Sequence, residues 1–587
     1  MWINKIKKFI SDQRNIFFKD ISENSENEGV VDLISSLMFS VSLSFLFFSF
    51  FAFLLTSIGF FINIKISPLH LIYSIELTIT FLFIFSRLIF PRRAFLYFLT
   101  SIFIFVSSFF VFINISQKTY DLSYDSQWYH MEEVIALKNG WNPFKQELTL
   151  KNHPEISSQN ILNSYSKDSE TIAAVIYKFF GKIETGKSIN LMIIFMSFGF
   201  VLSFVLKVKK INPFLSLFCT FLLVINPITL NQYLSFYIDG SMYNLFLSFG
   251  ALLGIFYLKK KNYLIYPIIF CICLLWNIKL TAILYTTIFF IAFLIYAWYS
   301  EKIIIFLKSI QIYLISSILA IFILGFNPYV TNLFWYGNPF YSGGMSSSNY
   351  IYTNMPENYF YLSSVERFVY SIFSKTEILR GEGKYSTFKL PFTYDANELS
   401  ISKSDGTTGG FGPLFSGVFI LSLIGLILIV RNKNHDFAWK SIFYLLFVIC
   451  LSSVFFPVSS YARFITQFWI FPVIVGVYCI NTKKLFSILV GVVLITTIFT
   501  NNYLITKEYL EFNIKGTEEV ASELKQIKEI SQTQTLFVDF DLFRSNRIRF
   551  KEAGIKFFER SISECAANRK RVLAQYIEES KTLICYQ

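Results

Sequence analysis

An uncharged, apolar stretch at residues 33–62 constrains the fold more than any other feature of the sequence. A helix needs about 20 apolar residues to cross the hydrocarbon core of a bilayer, which is roughly 30 Å thick. Residues 309–326 are likewise uncharged and apolar on every side, whereas a soluble helix or strand alternates apolar and polar positions at its own period. Because 54% of the chain is hydrophobic and 16% is charged, these stretches predict an all-α polytopic membrane protein.

The same pattern recurs along the chain and predicts about thirteen transmembrane helices. The predicted spans cover residues 33–62, 70–90, 94–115, 188–206, 212–228, 241–258, 263–280, 282–299, 303–325, 413–430, 439–457, 467–481 and 485–503. Three parts follow from this: a segment at residues 1–30, a transmembrane domain at residues 31–503 and a smaller domain at residues 504–587. The first segment is charged and amphipathic without a cleavable signal pattern, and we expect a helix on the cytoplasmic membrane surface.

Basic residues indicate how the predicted spans are oriented. They occupy every second short loop, at Lys5, Lys7, Lys8, Arg87, Arg92, Arg93, Lys207, Lys209, Lys210, Lys259, Lys260, Lys261, Lys302, Arg431, Lys433, Lys483 and Lys484. Because cytoplasmic loops are enriched in Lys and Arg, we expect these loops on the cytoplasmic side. Topology then accounts for most of the net charge of +13, so the expected partner is membrane lipid and not nucleic acid.

The opposite, outer side is expected to carry most of the polar mass, in loops at residues 116–187 and 327–412 and in the tail. Predicted helices and strands of the tail cover residues 517–530, 535–540, 542–553, 555–558 and 582–586. Their alternation predicts a small α/β domain with a parallel sheet. Cys565 and Cys585 lie in this tail, and the sequence leaves open whether their Cα atoms approach within the ~7 Å that a disulfide requires.

The first outer loop opens with a polar segment that follows the third predicted span directly. Asp121 and Asp125 come first, and Tyr129 and His130 follow. Within a helix, Asp125 and Tyr129 lie on the same face. A partly desolvated carboxylate beside aromatic side chains is a candidate general base. Capping of the helix that follows is the alternative role for Asp125, and the local sequence leaves both open.

Four more polar residues are predicted at the same membrane edge. Asp239 lies among apolar and aromatic neighbours, where a carboxylate needs a partner, and a purely structural ion pair is the simplest explanation of it. Lys279 and Arg463 are candidates for that partner or for binding a phosphate. The guanidinium of Arg463, with Gln467 nearby, suits a phosphate diester. Snorkelling to the interface is the alternative explanation of Lys279.

The second outer loop begins with Asn327 and Tyr329, set among Gly and Pro turns. Aromatic and amide side chains in such turns suit sugar stacking and hydroxyl binding, although an ordinary role in forming the turns explains any one of them equally well. The sequence contains no phosphate-binding loop, zinc-protease motif, serine nucleophile elbow or paired CxxC motif. Its four histidines are too scattered to predict a metal site.

Taken in order, these segments resemble the GT-C superfamily of polytopic glycosyltransferases, whose donors are polyprenyl- or dolichyl-phosphate sugars. The resemblance is closest to uncharacterised bacterial members and covers most of the membrane portion, but not the tail. It is carried by YDSQWYH and NGWNP at residues 124–130 and 139–143, YIDG at 237–240, NIKLT at 277–281, NPYVTN and PFY at 327–332 and 339–341, and ARFITQFW at 462–469.

The resemblance implies a GT-C-like fold in a bacterial inner membrane, with its active site facing the periplasm. The catalytic Asp of the family maps onto Asp125, which would deprotonate a hydroxyl of a glycan or lipid-linked acceptor and lead to inversion at the sugar. Ser126 stands where the family frequently has Glu, so we expect no metal and no other cofactor. Arg463 and Lys279 would hold the leaving polyprenyl phosphate. The expected substrate-binding residues are Asp121, Tyr129, His130, Asp239, Lys279, Asn327, Tyr329, Arg463 and Gln467.

Two other function classes fit the same residues. A transporter or flippase of lipid-linked saccharide would use the acids and cations for binding or proton coupling, although the chain shows no internal repeat. An O-antigen polymerase or ligase would share the donor chemistry. The sugar and the acceptor are not predicted.

Overall fold

The computed structural model describes residues 29–149, 156–208, 211–341, 347–401, 406–431, 437–560, 569–571 and 582–586. The surface helix predicted within residues 1–30 therefore lies outside the described residues, apart from the start of the first span. The described chain is mostly helical and contains one small sheet. Eight of its helices are long and apolar enough to cross a membrane: Val30–Phe61, Pro68–Ile89, Ala94–Gln117, Ile183–Val208, Asp239–Lys259, Leu280–Tyr299, Ile303–Leu324 and Leu485–Thr533. These lengths and compositions are those of a multi-pass membrane protein.

The α-helices are numbered here in chain order. They are α1 (Val30–Phe61), α2 (Pro68–Ile89), α3 (Ala94–Gln117), α4 (Met131–Lys138), α5 (Ile156–Ser164), α6 (Asp168–Phe180), α7 (Ser188–Val208), α8 (Pro213–Val224), α9 (Pro227–Gln232), α10 (Asp239–Lys259), α11 (Ile265–Ile278), α12 (Leu280–Tyr299), α13 (Ile303–Ile318), α14 (Thr331–Tyr336), α15 (Ser347–Asn354), α16 (Ser364–Ile372), α17 (Ala396–Ile401), α18 (Phe415–Arg431), α19 (Phe437–Val454), α20 (Ile470–Ile480), α21 (Leu485–Thr533) and α22 (Asn546–Glu552).

Five shorter apolar helices occupy the positions of the remaining predicted spans. They are Pro213–Val224, Asn262–Ile278, Phe415–Arg431, Trp439–Val454 and Thr466–Ile480. Each is shorter than the roughly 20 residues that a straight crossing of the bilayer requires. Every predicted span thus coincides with an apolar helix, while the total of thirteen crossings stays a prediction.

Helix α1 lies at the centre of the membrane portion. It is buried along most of its length and packs against α2, α3, α7 and α11. Small residues permit the closest approach, since a Cβ added to Gly199 of α7 would lie 2.1 Å from Ser42 Oγ. Elsewhere aromatic rings fill the space, as where Phe50 of α1 stacks on Phe270 of α11 with centroids 3.8 Å apart. Small residues at close crossings are typical of helices that pack within a bilayer.

The first outer loop forms the predicted helix and places Asp125 at its start. A π-helical turn covers Ser126–His130 and continues into α4. Asp125 stands at the cap position of this turn, but its side chain makes no capping hydrogen bond. The capping role considered for Asp125 is therefore not the one that its side chain has in the structure. The helix ends at Lys138 and is capped by Asn139, and Gly140 follows with φ of 101°, which favours glycine.

The tail begins inside one continuous helix. Helix α21 has 49 residues, a length of about 74 Å at 1.5 Å per residue, and it passes through the domain boundary predicted at residue 504. Beyond it, the strands are β1 (Leu536–Asp539), β2 (Phe558–Glu559), β3 (Arg569–Arg571) and β4 (Leu583–Tyr586). Their order in the sheet is β2-β1-β4-β3.

The strand directions differ from the predicted parallel sheet. Strands β1 and β2 are parallel, whereas β1 with β4 and β3 with β4 are antiparallel. The parallel prediction was wrong because strand direction depends on the path of the connections, which the residue pattern of a short strand does not encode. Cys585 in β4 is disulfide-bonded, and Cys565 lies outside the described residues.

Helix α22 of the tail is docked onto the first outer loop by buried polar contacts. The guanidinium of Arg549 donates to Glu184 Oε1 from Nε at 2.9 Å and to the Asp121 carbonyl from Nη2 at 2.7 Å. Arg547 makes a two-pronged ion pair with Glu132. Ser545 Oγ donates to the carbonyl of Gln127 at 2.6 Å, within the π-helical turn. The tail therefore contacts the segment that carries Asp125 directly.

Candidate functional site

A cavity of about 330 Å³ lies where several candidate spans end. This size is within the roughly 300–1,000 Å³ of small-molecule sites. Its walls come from the π-helical turn and α4, from the start of α10, from the junction of α11 and α12, and from segments near α15 and α20. The lining residues are Tyr124, Asp125, Trp128, Tyr129, His130, Glu133, Ile161, Tyr165, Ser166, Glu170, Tyr237, Ile238, Asp239, Ile278, Lys279, Leu280, Thr281, Tyr350, Asn354, Arg380, Arg463 and Phe464.

Asp125 and Arg463 form an ion pair inside this cavity. Arg463 Nη1 donates to Asp125 Oδ2 at 2.9 Å. The side chain of Arg463 is 11% exposed and that of Asp125 is 13% exposed. The backbone amide of Asp125 donates to Tyr237 Oη at 3.3 Å. The Arg463 guanidinium also lies 5.7 Å from the centre of the Tyr237 ring and 5.4 Å from that of Phe464, distances at which a cation is attracted to an aromatic ring.

Asp239 and Lys279 form a second ion pair on the same cavity. Asp239, at the start of α10, is 2% exposed and accepts from Lys279 Nζ. Its other oxygen accepts from Gln232 Nε2 at 3.1 Å. Lys279 joins α11 to α12 in extended conformation, which lets its side chain reach back to α10, and its ammonium lies 4.5 Å from the centre of the Phe464 ring. The buried carboxylate of Asp239 is thus compensated, as the sequence required.

A third polar group surrounds His130. His130 Nδ1 lies 2.6 Å from Glu170 Oε1, and Lys167 Nζ lies 3.4 Å from Glu133 Oε1. Burial raises the pKa of Glu133 well above its ordinary value, an effect that Lys167 opposes and Glu170 reinforces. Burial also lowers the pKa of Lys167. On this side of the cavity, burial therefore opposes ionisation of the Glu133 carboxyl group.

Tyrosine side chains form much of the remaining wall. Burial raises the pKa of Tyr165 to about 12 and raises that of Tyr129 as well, with the nearby carboxylate of Asp125 adding to both effects. Tyr350 is hydrogen-bonded to Arg463, and burial likewise raises its pKa. These hydroxyls stay protonated at neutral pH, so they can donate and accept hydrogen bonds, and their rings offer flat apolar faces.

The structure brings six of the predicted site residues together on the cavity and leaves four outside its lining. Those on the cavity are Asp125, Tyr129, His130, Asp239, Lys279 and Arg463. The carboxylate of Asp121 accepts from the amides of Ser123 and Phe236, at 2.9 and 2.7 Å, and so holds two loops together.

The other three also have structural contacts. Asn327 donates to Thr331 Oγ1 at 2.8 Å. Tyr329 donates to the backbone carbonyl of Trp276. Gln467 lines a separate small cavity between α10, α11 and α12. These three side chains thus lie outside the cavity lining, among the surrounding helices, and Asn327 Oδ1 and Gln467 Nε2 have no hydrogen-bond partner among the described residues.

Several residues of the cavity had no motif to mark them. Tyr165, Glu170, Tyr350 and Arg380 come from parts of the two outer loops where the sequence predicted no chemistry. Glu133 is different, because its place one helical turn after Tyr129 was a usable signal. Within the described residues, no group of three or more His, Cys, Asp and Glu is arranged to hold a metal ion, and the metal-independent site stays a prediction.

No protein-family model matches the chain, and no curated protein matches it. The resemblance to GT-C enzymes therefore depends on the quoted segments alone. What the fold and the cavity define is a class: a multi-pass helical membrane protein with a charged, tyrosine-rich cavity at the ends of its helices.

Proposed function

We propose that this protein is a GT-C-type glycosyltransferase that moves a sugar from a polyprenyl-phosphate-linked donor to a glycan or lipid acceptor. The observation that carries the proposal is the placement of two ion pairs, Asp125 with Arg463 and Asp239 with Lys279, on one cavity at the helix ends. A phosphate needs cations, an acceptor hydroxyl needs a base, and a lipid-linked substrate needs a site beside the bilayer. This cavity supplies a candidate for each.

In this proposal, the cavity opens on the side of the membrane opposite the basic loops. Helix α10 begins at the cavity with Asp239 and ends at Lys259, and α12 begins next to Lys279 and ends just before Lys302. Because Lys-rich loops stay in the cytoplasm, the proposed site opens to the outer side. In a bacterial inner membrane this side is the periplasm, where polyprenyl-phosphate sugars serve as donors for envelope glycans.

The proposed reaction assigns one role to each charged group. The acceptor oxygen attacks the anomeric carbon from the face opposite the phosphate, and the bond between that carbon and the phosphate oxygen breaks. Asp125 takes the proton of the acceptor hydroxyl. The leaving polyprenyl phosphate gains negative charge, which Arg463 and Lys279 stabilise. Donor binding exchanges the Arg463 contact of Asp125 for a phosphate contact, so the carboxylate is released to act as a base only when the donor is present.

The test is release of polyprenyl phosphate from labelled polyprenyl-phosphate sugars by the purified full chain in detergent, with membrane glycan extract as acceptor. Asp125→Asn should lower turnover by about 10²–10⁴, the range for removal of a general base, while donor binding is retained. Asp395→Asn is the matched control, because Asp395 is an exposed carboxylate that also pairs with a cation, Lys375. Wild-type turnover by Asp125→Asn would disprove the assignment of the base.

The same measurement separates the proposal from the transporter alternative. A flippase moves the intact donor across a vesicle membrane and leaves the sugar–phosphate bond unbroken. Transport of intact donor into proteoliposomes, without release of polyprenyl phosphate from any donor, would show that the protein is a transporter and not a glycosyltransferase.

A further inference from the structure

Two buried carboxylates on the His130 side of the cavity have hydrogen-bonding capacity that the described residues leave unused. Glu133 and Glu170 are 1% and 3% exposed, and both line the cavity. Glu170 uses Oε1 for His130, while its Oε2 has no hydrogen-bond partner among the described residues. Glu133 Oε1 has a long contact of 3.4 Å with Lys167 Nζ and no shorter partner in the described chain. Buried polar atoms are normally satisfied, so these oxygens indicate a missing donor.

The charges nearby favour a cationic donor. Asp168 is also buried, at 1% exposure, and it is close enough to Glu170 for their charges to repel. Against these three carboxyl groups, Lys167 places one ammonium near Glu133 and Glu170, and His130 Nδ1 contacts Glu170. An added ammonium group brings three N–H donors and a positive charge to these oxygens. The carboxylate of a ligand would be repelled there, and a hydroxyl would satisfy the oxygens without balancing the charge.

We propose that Glu133 and Glu170 form a subsite for the protonated amino group of an amino sugar. The proposal rests on the glycosyltransferase function and specifies its substrate class: the transferred sugar, or the sugar of the acceptor, carries a free amine. Tyr129 and Tyr165 line the same cavity, and their faces suit both the sugar ring and the cation.

The test uses free monosaccharides as probes, so that it does not require transfer. Binding of glucosamine, glucose and glucuronate to the purified full chain is measured by saturation-transfer NMR at a pH where the amine is protonated. We expect glucosamine to bind at least about tenfold more tightly than glucose, a difference of about 1.4 kcal/mol, and glucuronate to bind more weakly than glucose. Equal affinity for the three sugars, or no binding of any of them, would overturn the subsite.

Variants assign the preference to the two carboxylates. Glu170→Gln keeps the shape and removes the charge, so it should reduce the preference for glucosamine to below about threefold, one-half of a tenfold step on the free-energy scale. Glu170→Asp retains the charge and should retain the preference, which separates charge from folding. Asp395→Asn, at the exposed ion pair, should leave the preference unchanged. A preference that persists in both Glu170→Gln and Glu133→Gln contradicts the proposal.

The two proposals fail in different ways. If glucosamine shows the Glu170-dependent preference but no polyprenyl phosphate is released from a glucosamine-bearing donor or with an amine-bearing acceptor, the glycosyltransferase function fails and the amine site stands. If polyprenyl phosphate is released with equal kcat/KM whether or not the sugars carry an amine, the subsite fails and the enzyme stands.

Discussion

Arg549 is expected to hold the turn that carries Asp125, although it lies more than 400 residues further along the chain. Its side chain is 2% exposed and contacts Glu184, the Asp121 carbonyl and Gln127 Oε1. Substitution by Met keeps the aliphatic stem and removes these contacts. Removal of one partner from a buried ion pair costs about 3–5 kcal/mol. Glu184 retains Lys187 at 2.7 Å, so we expect a value near the lower end, about 3 kcal/mol.

The appropriate assay is hydrogen exchange of the backbone amides of residues 123–138. Their protection reports the free energy of local opening, and a loss of about 3 kcal/mol corresponds to roughly 100-fold faster exchange at 1.4 kcal/mol per factor of ten. If Asp125 is the base, the same variant should lower kcat more than it raises KM, because the position of the carboxylate changes while the cavity walls remain. Arg549→Lys should restore part of both, since it keeps the charge.

Arg544→Met is the matched control. Arg544 precedes the same helix and pairs with Glu559, but the pair is at the surface, where such a contact contributes about 0–1 kcal/mol. In Arg544→Met, the amide exchange of residues 123–138 should become faster by less than about fivefold, on the same free-energy scale. If Arg549→Met leaves the exchange of residues 123–138 unchanged, the tail does not stabilise the turn and the reasoning from its buried contacts is wrong.

Three other substitutions test separate parts of the structure. Lys279→Met should lower the free energy of unfolding by about 3–5 kcal/mol, because it strands the buried carboxylate of Asp239, and added Asp239→Asn should restore most of this loss in thermal denaturation without restoring turnover. Burial raises the pKa of Asp168 well above its ordinary value. The folded protein therefore loses stability as the pH rises from the pKa of Asp168 in the unfolded chain to its pKa in the folded protein. Asp168→Asn should flatten the free energy of unfolding against pH in this range, and an unchanged slope would contradict the prediction. Gly199→Ala should destabilise by about 1–3 kcal/mol through overpacking, whereas Gly250→Ala, whose Cβ would be 3.7 Å from its nearest neighbour, should not; equal melting temperatures would refute the packing argument.

The residue pattern was sufficient to predict features that are set by residues close together in the chain. Apolar runs located the helices, and Gly140 marked the end of α4, because both follow from local length and backbone preference. The partner of Asp239 was also within reach of sequence reasoning. Lys279 was one of two cations proposed for it; Asp239 begins α10, and Lys279 immediately precedes α12.

Contacts between distant segments were beyond the sequence alone. Arg463 was a candidate partner of Asp239 or ligand of a phosphate, yet in the structure it pairs with Asp125, 338 residues away. Such pairing depends on how the helices pack, and helix packing within a bilayer is set by fine matching of small and large side chains that no motif records. The docking of α22 on the first outer loop has the same origin, as has the arrival of Glu170 beside His130.

Burial distinguishes the two aspartates of the cavity and favours Asp125 over Asp239 as the proposed base. Asp239 is 2% exposed and engages both carboxylate oxygens, with Lys279 and Gln232, so it is held by two partners and has little access to an incoming hydroxyl. Asp125 is 13% exposed and is held through Oδ2 by Arg463. A general base has to reach the proton that it takes. A phosphate displaces Asp125 from the guanidinium of Arg463 more readily than it displaces the buried Asp239, which has two partners, from Lys279. The acid with the replaceable contact is therefore the one suited to proton transfer, and the other is suited to holding Lys279 in place.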